Sequence, residues 1–170
     1  MTTEPIRTRR LTLVPLAVEH AGEMAGVLAD PALYTFTGGG PPAPAELRAR
    51  YARQVAGAPD AGTEWHNWVL REEASGRLTG YVQATVAAGA ADVAWVVGTA
   101  AQGRGLAREA ALGMARWLAA RGTPDLVARI HPGHHASARV ARALGLTPSG
   151  EVDADGEDVW TGRTVDPGDH

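Results

Sequence analysis

The sequence predicts a mixed α/β domain, and three observations predict it. Three β-type runs follow one another between residues 65 and 97. Segments of helical period stand on both sides of them. A glycine-arginine-glycine turn at 103–105 then hands the last run to an alanine-rich helix, and strand and helix alternate from there on. A chain of 170 residues is most simply one domain with a sizeable core. It is read here as a single unit over 1–170, with a core at about 8–163 and a frayed tail at 164–170.

Each element has a local reason. Residues 10–16 (RLTLVPL) alternate polar and apolar and predict a strand. Residues 17–29 repeat apolar side chains at Ala21, Met24, Ala25 and Leu28, a helical spacing that Asp30-Pro31 ends. TGGGPPAP at 37–44 is a loop, and 45–55 is a second helix with arginines at 48, 50 and 53. The runs 65–71 and 78–86 are joined by the polar turn EEASG and make a hairpin; 93–97 is the next strand. A helix over 106–121 places Ala110, Met114, Trp117 and Leu118 on one face, and Gly122 and Pro124 end it. Residues 126–130 form a strand broken by His131-Pro132-Gly133. A short helix over 137–144 stops at Gly145, with Leu146 placed for the apolar contact of a Schellman cap. A last strand or hairpin occupies 147–160 around Asp155-Gly156. There is no internal repeat and no interdomain linker.

Composition narrows the function classes. A formal charge of -3 with 21% charged residues argues against a nucleic-acid binder and is compatible with a cationic substrate. There is no cysteine, which excludes disulfides, thiolate zinc sites and cysteine nucleophiles and fits a reducing cytoplasm. All sixteen basic residues are arginine. Residues 82–97 are the longest weakly polar stretch. They are too short to span a bilayer and are interrupted by Gln83 and Asp92. The first residues lack the pattern of a secretory signal. The expectation is a cytoplasmic protein, monomer or homodimer, with neither nucleic acid nor membrane as partner.

The turn at 102–107 (QGRGLA) is the chief chemical signal. A helix N-terminus offers unpaired N–H groups and about half a positive charge. Glycines at 103 and 105 keep side chains away, and Arg104 adds a forked cation suited to phosphate. A nucleotide P-loop needs a lysine, which the chain lacks; the dinucleotide fingerprint needs a small residue where Arg108 stands. An ordinary strand-to-helix turn would look the same at this level.

Gln102-Gly103-Arg104-Gly105-Leu106-Ala107 resembles the acyl-CoA pyrophosphate loop of the GNAT superfamily. The 10–16 run resembles the first strand of the branch that holds the ribosomal-protein N-terminal acetyltransferases. Residues 80–97 resemble that fold's central strands, and 130–146 its fifth strand and following helix. The resemblance spans nearly the whole chain. It implies a mostly antiparallel sheet splayed between its fourth and fifth strands, with acetyl-CoA as donor and an amine as acceptor. It places pantetheine beside Val96 and Val97, and the pyrophosphate on Gln102, Gly103, Arg104, Gly105, Leu106 and Ala107. Direct attack by a primary amine, either a protein N-terminal α-amine or a small amine, follows, and no cysteine is needed. A longer acyl-CoA, a non-catalytic acyl-CoA sensor and a dinucleotide oxidoreductase are the competing readings.

The residues for proton transfer depart from the family pattern. Asp92 aligns where many relatives carry glutamate; being shorter, it would work through water, and it also reads as a solvated strand-start acid. Ala141 stands where many relatives carry the tyrosine acid. Ser137 matches a serine of the ribosomal-protein branch and is the candidate donor to the departing thiolate; a helix N-cap is its other role, and both can hold. His134 replaces an asparagine that holds pantetheine in that branch. His131, His134 and His135 lack a carboxylate at ligand spacing and have Pro132-Gly133 between them, so no metal is expected. Trp65 and Trp68 flank Asn67 near the expected acceptor cleft. Each is either core filling or an aromatic wall for an ammonium group. The loop at 38–42 borders the same cleft.

Overall fold

The computed structural model describes residues 2–164. The chain opens with β1 (Ile6–Arg7) and β2 (Leu11–Pro15), then a 3-10 turn and α1 (Ala21–Val27). After a second 3-10 turn over Pro31–Tyr34 come α2 (Pro44–Ala56), β3 (Thr63–Glu72), β4 (Leu78–Ala87) and β5 (Ala90–Val97). The remainder is α3 (Leu106–Ala120), β6 (Asp125–Ile130), α4 (His135–Ala143), β7 (Thr147–Val152) and β8 (Asp158–Arg163).

Among the described residues one sheet of eight strands runs in the order β1-β2-β3-β4-β5-β6-β8-β7. Its neighbours are antiparallel except β5 and β6, which a crossover through α3 makes parallel. The mixed, mostly antiparallel sheet expected from the sequence is therefore present. Alternation decides which helices cover which face. Leu70, Val82 and Trp95 turn toward α3 and α4, where Met114, Leu118 and Ala141 meet them. Val69, Tyr81 and Val96 turn the other way, against Met24 of α1 and Leu47 of α2.

Several boundaries differ from the sequence expectation, each for a local reason. β1 has two residues and no periodicity to detect. The helix expected over 17–29 is a 3-10 turn and a seven-residue helix, and a Pro31-led 3-10 turn follows it. There Asp30 accepts from the Ala32 N–H at 2.9 Å. α4 begins at His135, two residues early, while its Schellman cap forms as expected, with the Leu146 N–H reaching the Ala141 carbonyl at 3.0 Å. The final hairpin forms as β7 and β8. The expected tail lies outside the described residues except for Thr164, whose N–H reaches the Pro124 carbonyl at 2.8 Å.

One irregularity positions the site. β5 and β6 pair at three positions: Ala90 with Asp125, Ala91 with Leu126, and Asp92 with Val127. Both strands continue, to Val97 and Ile130, without further pairing to each other. The facing edges of 93–97 and 128–130 thus open into a wedge. The first turns of α3 and α4 both lie at its wide end.

Candidate functional site

The loop at the mouth of the wedge is built from backbone geometry. Gly103 has φ +80° and Gly105 φ +78°, the left-handed region that L side chains avoid at a cost of about 1–2 kcal/mol. A Cβ on Gly103 would meet nothing within 4 Å, so crowding is not what demands glycine there. The Glu109 N–H is the first of the helix to find a carbonyl, that of Gly105 at 3.1 Å. The N–H groups of Leu106, Ala107 and Arg108 precede that ladder. Leu106 itself is buried in the core, so it brings only its backbone to the loop.

Side chains clamp the loop on two sides. The Gln102 amide Nε2 donates to the Val97 carbonyl at 2.9 Å, tying the loop to the end of β5. Arg10 Nη1 donates to the Arg104 carbonyl at 2.8 Å. Arg10 is held in turn by Glu109, which accepts from Arg10 Nε and from the Arg10 N–H, both at 2.8 Å. Thr8 Oγ1 donates to the same carboxylate at 2.6 Å. Burial pushes the Glu109 carboxyl up, but the bonds from Thr8 and Arg10 outweigh it and hold the group below its ordinary value. The Arg104 guanidinium donates to Glu72 at the end of β3, on the side of β5 away from the wedge, and this bond holds the Glu72 carboxyl low. A groove of about 680 Å³ runs beside the loop between α1 and the β3–β4 turn, with Glu23, Asp30, Glu72, Arg77 and Arg104 among its lining.

Asp92 stands at the point where the strands part. Its Oδ2 accepts from Arg129 Nε at 2.9 Å, so one ion pair spans the base of the wedge from β5 to β6. The pair keeps Arg129 firmly in its charged form. Register sets Asp92 in a cross-strand row with Thr85 and Trp65 on the α1/α2 face; the next row is Ala94, Gln83 and Asn67. A second cavity, of about 230 Å³, lies on that face beneath α2. Leu16, Leu28 and Leu47 line it, with Arg50, Tyr51 and Gln54 from α2. Asn67, Tyr81 and Gln83 come from the sheet.

A family model for the acetyltransferase (GNAT) domain matches residues 10–147. The chain belongs to the GNAT acetyltransferase family. Transfer of an acyl group from acetyl-CoA is the activity this membership implies. Solved structures share the fold. A GNAT-family acetyltransferase from Bacillus anthracis is 14% identical, with a TM-score of 0.79 over 95% of this chain and 99% of that one. An acetyltransferase from Agrobacterium tumefaciens is 24% identical, with a TM-score of 0.75 over 96% of each chain. RimL, a ribosomal L7/L12 alpha-N-protein acetyltransferase solved with coenzyme A, is 18% identical, with a TM-score of 0.76 over 93% of this chain and 96% of that one. No curated protein sequence matches significantly.

In this acetyltransferase the other expected site residues are distributed unevenly. Val96 and Val97 end β5 on the open edge; Val96 is half-buried toward α1 and Val97 is packed in the core. His134 directly precedes α4, and its Nε2 lies 3.3 Å from Ser137 Oγ. Ser137 is the third helical residue and caps nothing; the cap position belongs to His134, which makes no side-chain cap bond. Phe36 stacks on His134 with ring centroids 4.6 Å apart and tilts against His131 at 5.1 Å. Burial, and then the neighbouring His131, lower the His134 pKa and leave a neutral ring. Phe36 thereby brings the loop before 38–42 onto the first turn of α4. Trp65 is half-buried in the Asp92 row. Trp68 is among the residues lining the cavity beneath α2, while its ring is fully buried on the opposite face, edge-on to Trp117 at 5.2 Å, and its Nε1 donates to the Glu4 carbonyl at 2.8 Å. Alternation along β3 sends neighbours Asn67 and Trp68 to opposite faces.

Sequence reasoning missed Arg10, Glu109, Glu72 and Arg129. Each acts on the site through a partner far along the chain. The α2 lining of the cavity was also missed, although a cleft was expected beside Asn67 and the arginine spacing of α2 was noticed.

Proposed function

We propose that this acetyltransferase moves an acetyl group from acetyl-CoA to a primary amine by direct attack within the wedge. The observation that carries the reading is the wedge itself, opening beyond Asp92 and Val127 toward the left-handed glycine loop. The residues fit the donor. The gap exposes strand backbone for amide pairing, and the N–H groups at the start of α3 meet a pyrophosphate without an intervening side chain. Acetyl-CoA supplies the activated thioester. Arg104 supplies a phosphate counter-charge once it leaves Glu72, with which it is paired in this conformation. Open-edge N–H groups of 93–97 polarise the carbonyl under attack. Asp92, alongside Arg129, takes the amine proton through water. Ser137, hydrogen-bonded to the neutral His134, donates to the sulfur that departs. A second reading, an acyl-CoA-binding module without catalysis, is favoured by Ala141, a fully buried residue without a hydroxyl at the position of the usual acid.

Calorimetry with acetyl-CoA and with NAD, followed by thiol release over a panel of primary amines, tests both. Acetyl-CoA binding with amine-dependent release is expected. Release no faster than hydrolysis for every amine supports the binding module; NAD binding without acetyl-CoA binding removes both.

A further inference from the structure

We propose that the cavity beneath α2 is the acceptor pocket and takes a small primary amine bearing a carboxylate, in its simplest form an apolar α-amino acid, with Arg50 selecting for the acid. The inference rests on the acetyltransferase reading above and names the substrate class of that same site.

Size comes first. A volume of about 230 Å³ holds roughly eight water-sized groups at about 30 Å³ each, the scale of one free amino acid. Chemistry comes next. Leu16, Leu28 and Leu47 give the cavity an apolar wall able to cover an aliphatic side chain. Arg50 is the single charged group in the lining, and no aspartate or glutamate lines it among the described residues. Among those residues no ion pair forms on Arg50. A polycationic acceptor would meet this guanidinium with nothing to offset it. A carboxylate would meet a planar fork matched to its own geometry.

The tyrosines around Arg50 complete the recognition. Burial pushes the Tyr51 phenol up to about 12 and raises Tyr34 and Tyr81 as well, against the pull of Arg50. All three therefore remain neutral hydroxyls near neutrality. Tyr34 donates to the Leu28 carbonyl at 2.8 Å, while Tyr51 and Tyr81 line the cavity and can donate to an acid.

Register sets the direction. Gln83, in the cavity floor, pairs with Ala94 of β5, within the segment that no longer pairs with β6 and borders the wedge. Adjacent strands lie about 4.8 Å apart, so the floor is one strand from the open edge. A bound amino acid with its carboxylate on Arg50 of α2 turns its amine toward β5 and the row that holds Asp92.

The test compares leucine, valine and methionine, each against its own amide, by thiol release at saturating acetyl-CoA. Each pair shares its side chain and differs in the anion, and rates are compared per unit of neutral amine because the carboxylate makes the α-amine more basic than in the amide. We expect kcat/KM to favour the acids by about tenfold or more, and Arg50→Gln to bring each acid-to-amide ratio close to one. An unchanged melting temperature shows that the variant folds. Amides, spermidine or an N-terminal peptide used as well as the acids overturns the proposal and leaves the acetyltransferase reading standing. Calorimetry of leucine on the protein with coenzyme A adds a readout independent of turnover. Binding weakened about tenfold or more in Arg50→Gln is expected. Absent binding, or equal binding in the variant, overturns the proposal. Arg50-dependent leucine binding with no release from any acceptor keeps the ligand class and overturns the transfer reading instead.

Discussion

Glu109 holds three donors at once, and its replacement by glutamine has a calculable cost. Oε2 accepts from Thr8 Oγ1 and the Arg10 N–H, and Oε1 from Arg10 Nε. Glutamine keeps one oxygen. In either orientation its NH₂ group faces a donor, so at least one charge-assisted bond is lost and Arg10 loses its counter-charge. The expected loss is about 1.5–3 kcal/mol of stability. For a chain of this size that lowers Tm by roughly 3–12 °C. Because Arg10 also holds the Arg104 carbonyl, the loop slackens and the acetyl-CoA Kd rises about threefold to tenfold. Acid pH supplies a second readout. The folded carboxyl lies below its ordinary value of 4.5, so the native state binds this proton less tightly than the unfolded chain. Its contribution is complete above the unfolded value and is lost as pH falls through the folded one. Glu109→Gln therefore flattens the acid limb of the stability curve. Urea unfolding at constant m-value and calorimetry measure these effects. A variant within about 0.5 kcal/mol of the parent, with the same Kd, refutes the clamp.

Two further substitutions probe the wedge. A Cβ on Gly80 would stand 2.1 Å from the Val96 carbonyl oxygen and 2.9 Å from Val97 Cα. Gly80→Ala must therefore force β4 off β5 beside the open edge, at a cost on the order of 3 kcal/mol in urea unfolding; a loss below about 1 kcal/mol contradicts this. Asp92→Asn breaks an ion pair that both side chains make near the surface, so stability changes by less than about 1 kcal/mol. Its transfer rate is expected to fall while acetyl-CoA affinity holds. A parental pH–rate profile between about pH 6 and pH 9 removes Asp92 as the base.

The strands, the helices and the glycine loop were legible because each is written in neighbouring residues. Alternation marks β3 to β5 whatever they pack against, and helical spacing marks α3. The glycines were noticed for one reason, and the structure supplies a second. The sequence suggested room for an anion; the backbone adds a left-handed conformation at both positions. Ser137 shows the limit from the other side. It suits a helix start, yet the helix begins two residues earlier and the hydroxyl meets His134 instead. Trp65 and Trp68 are three residues apart on a strand, an odd number, so period two was bound to send them to opposite faces.

Local order along the chain thus settled the fold class, the place of the glycine loop and the exclusion of cysteine chemistry. Those depend on short-range periodicity, on backbone preference and on which atoms are present. The wedge, the Arg10–Glu109 clamp, the Asp92–Arg129 pair and the cavity under α2 awaited the fold. Glu109 is ninety-nine residues from Arg10, and Asp92 is thirty-seven from Arg129. Such pairs carry no signature at any fixed spacing. Only the crossover through α3, which lays β6 parallel to β5 and then lets them part, decides that Asp92 meets Arg129 and where the sheet opens.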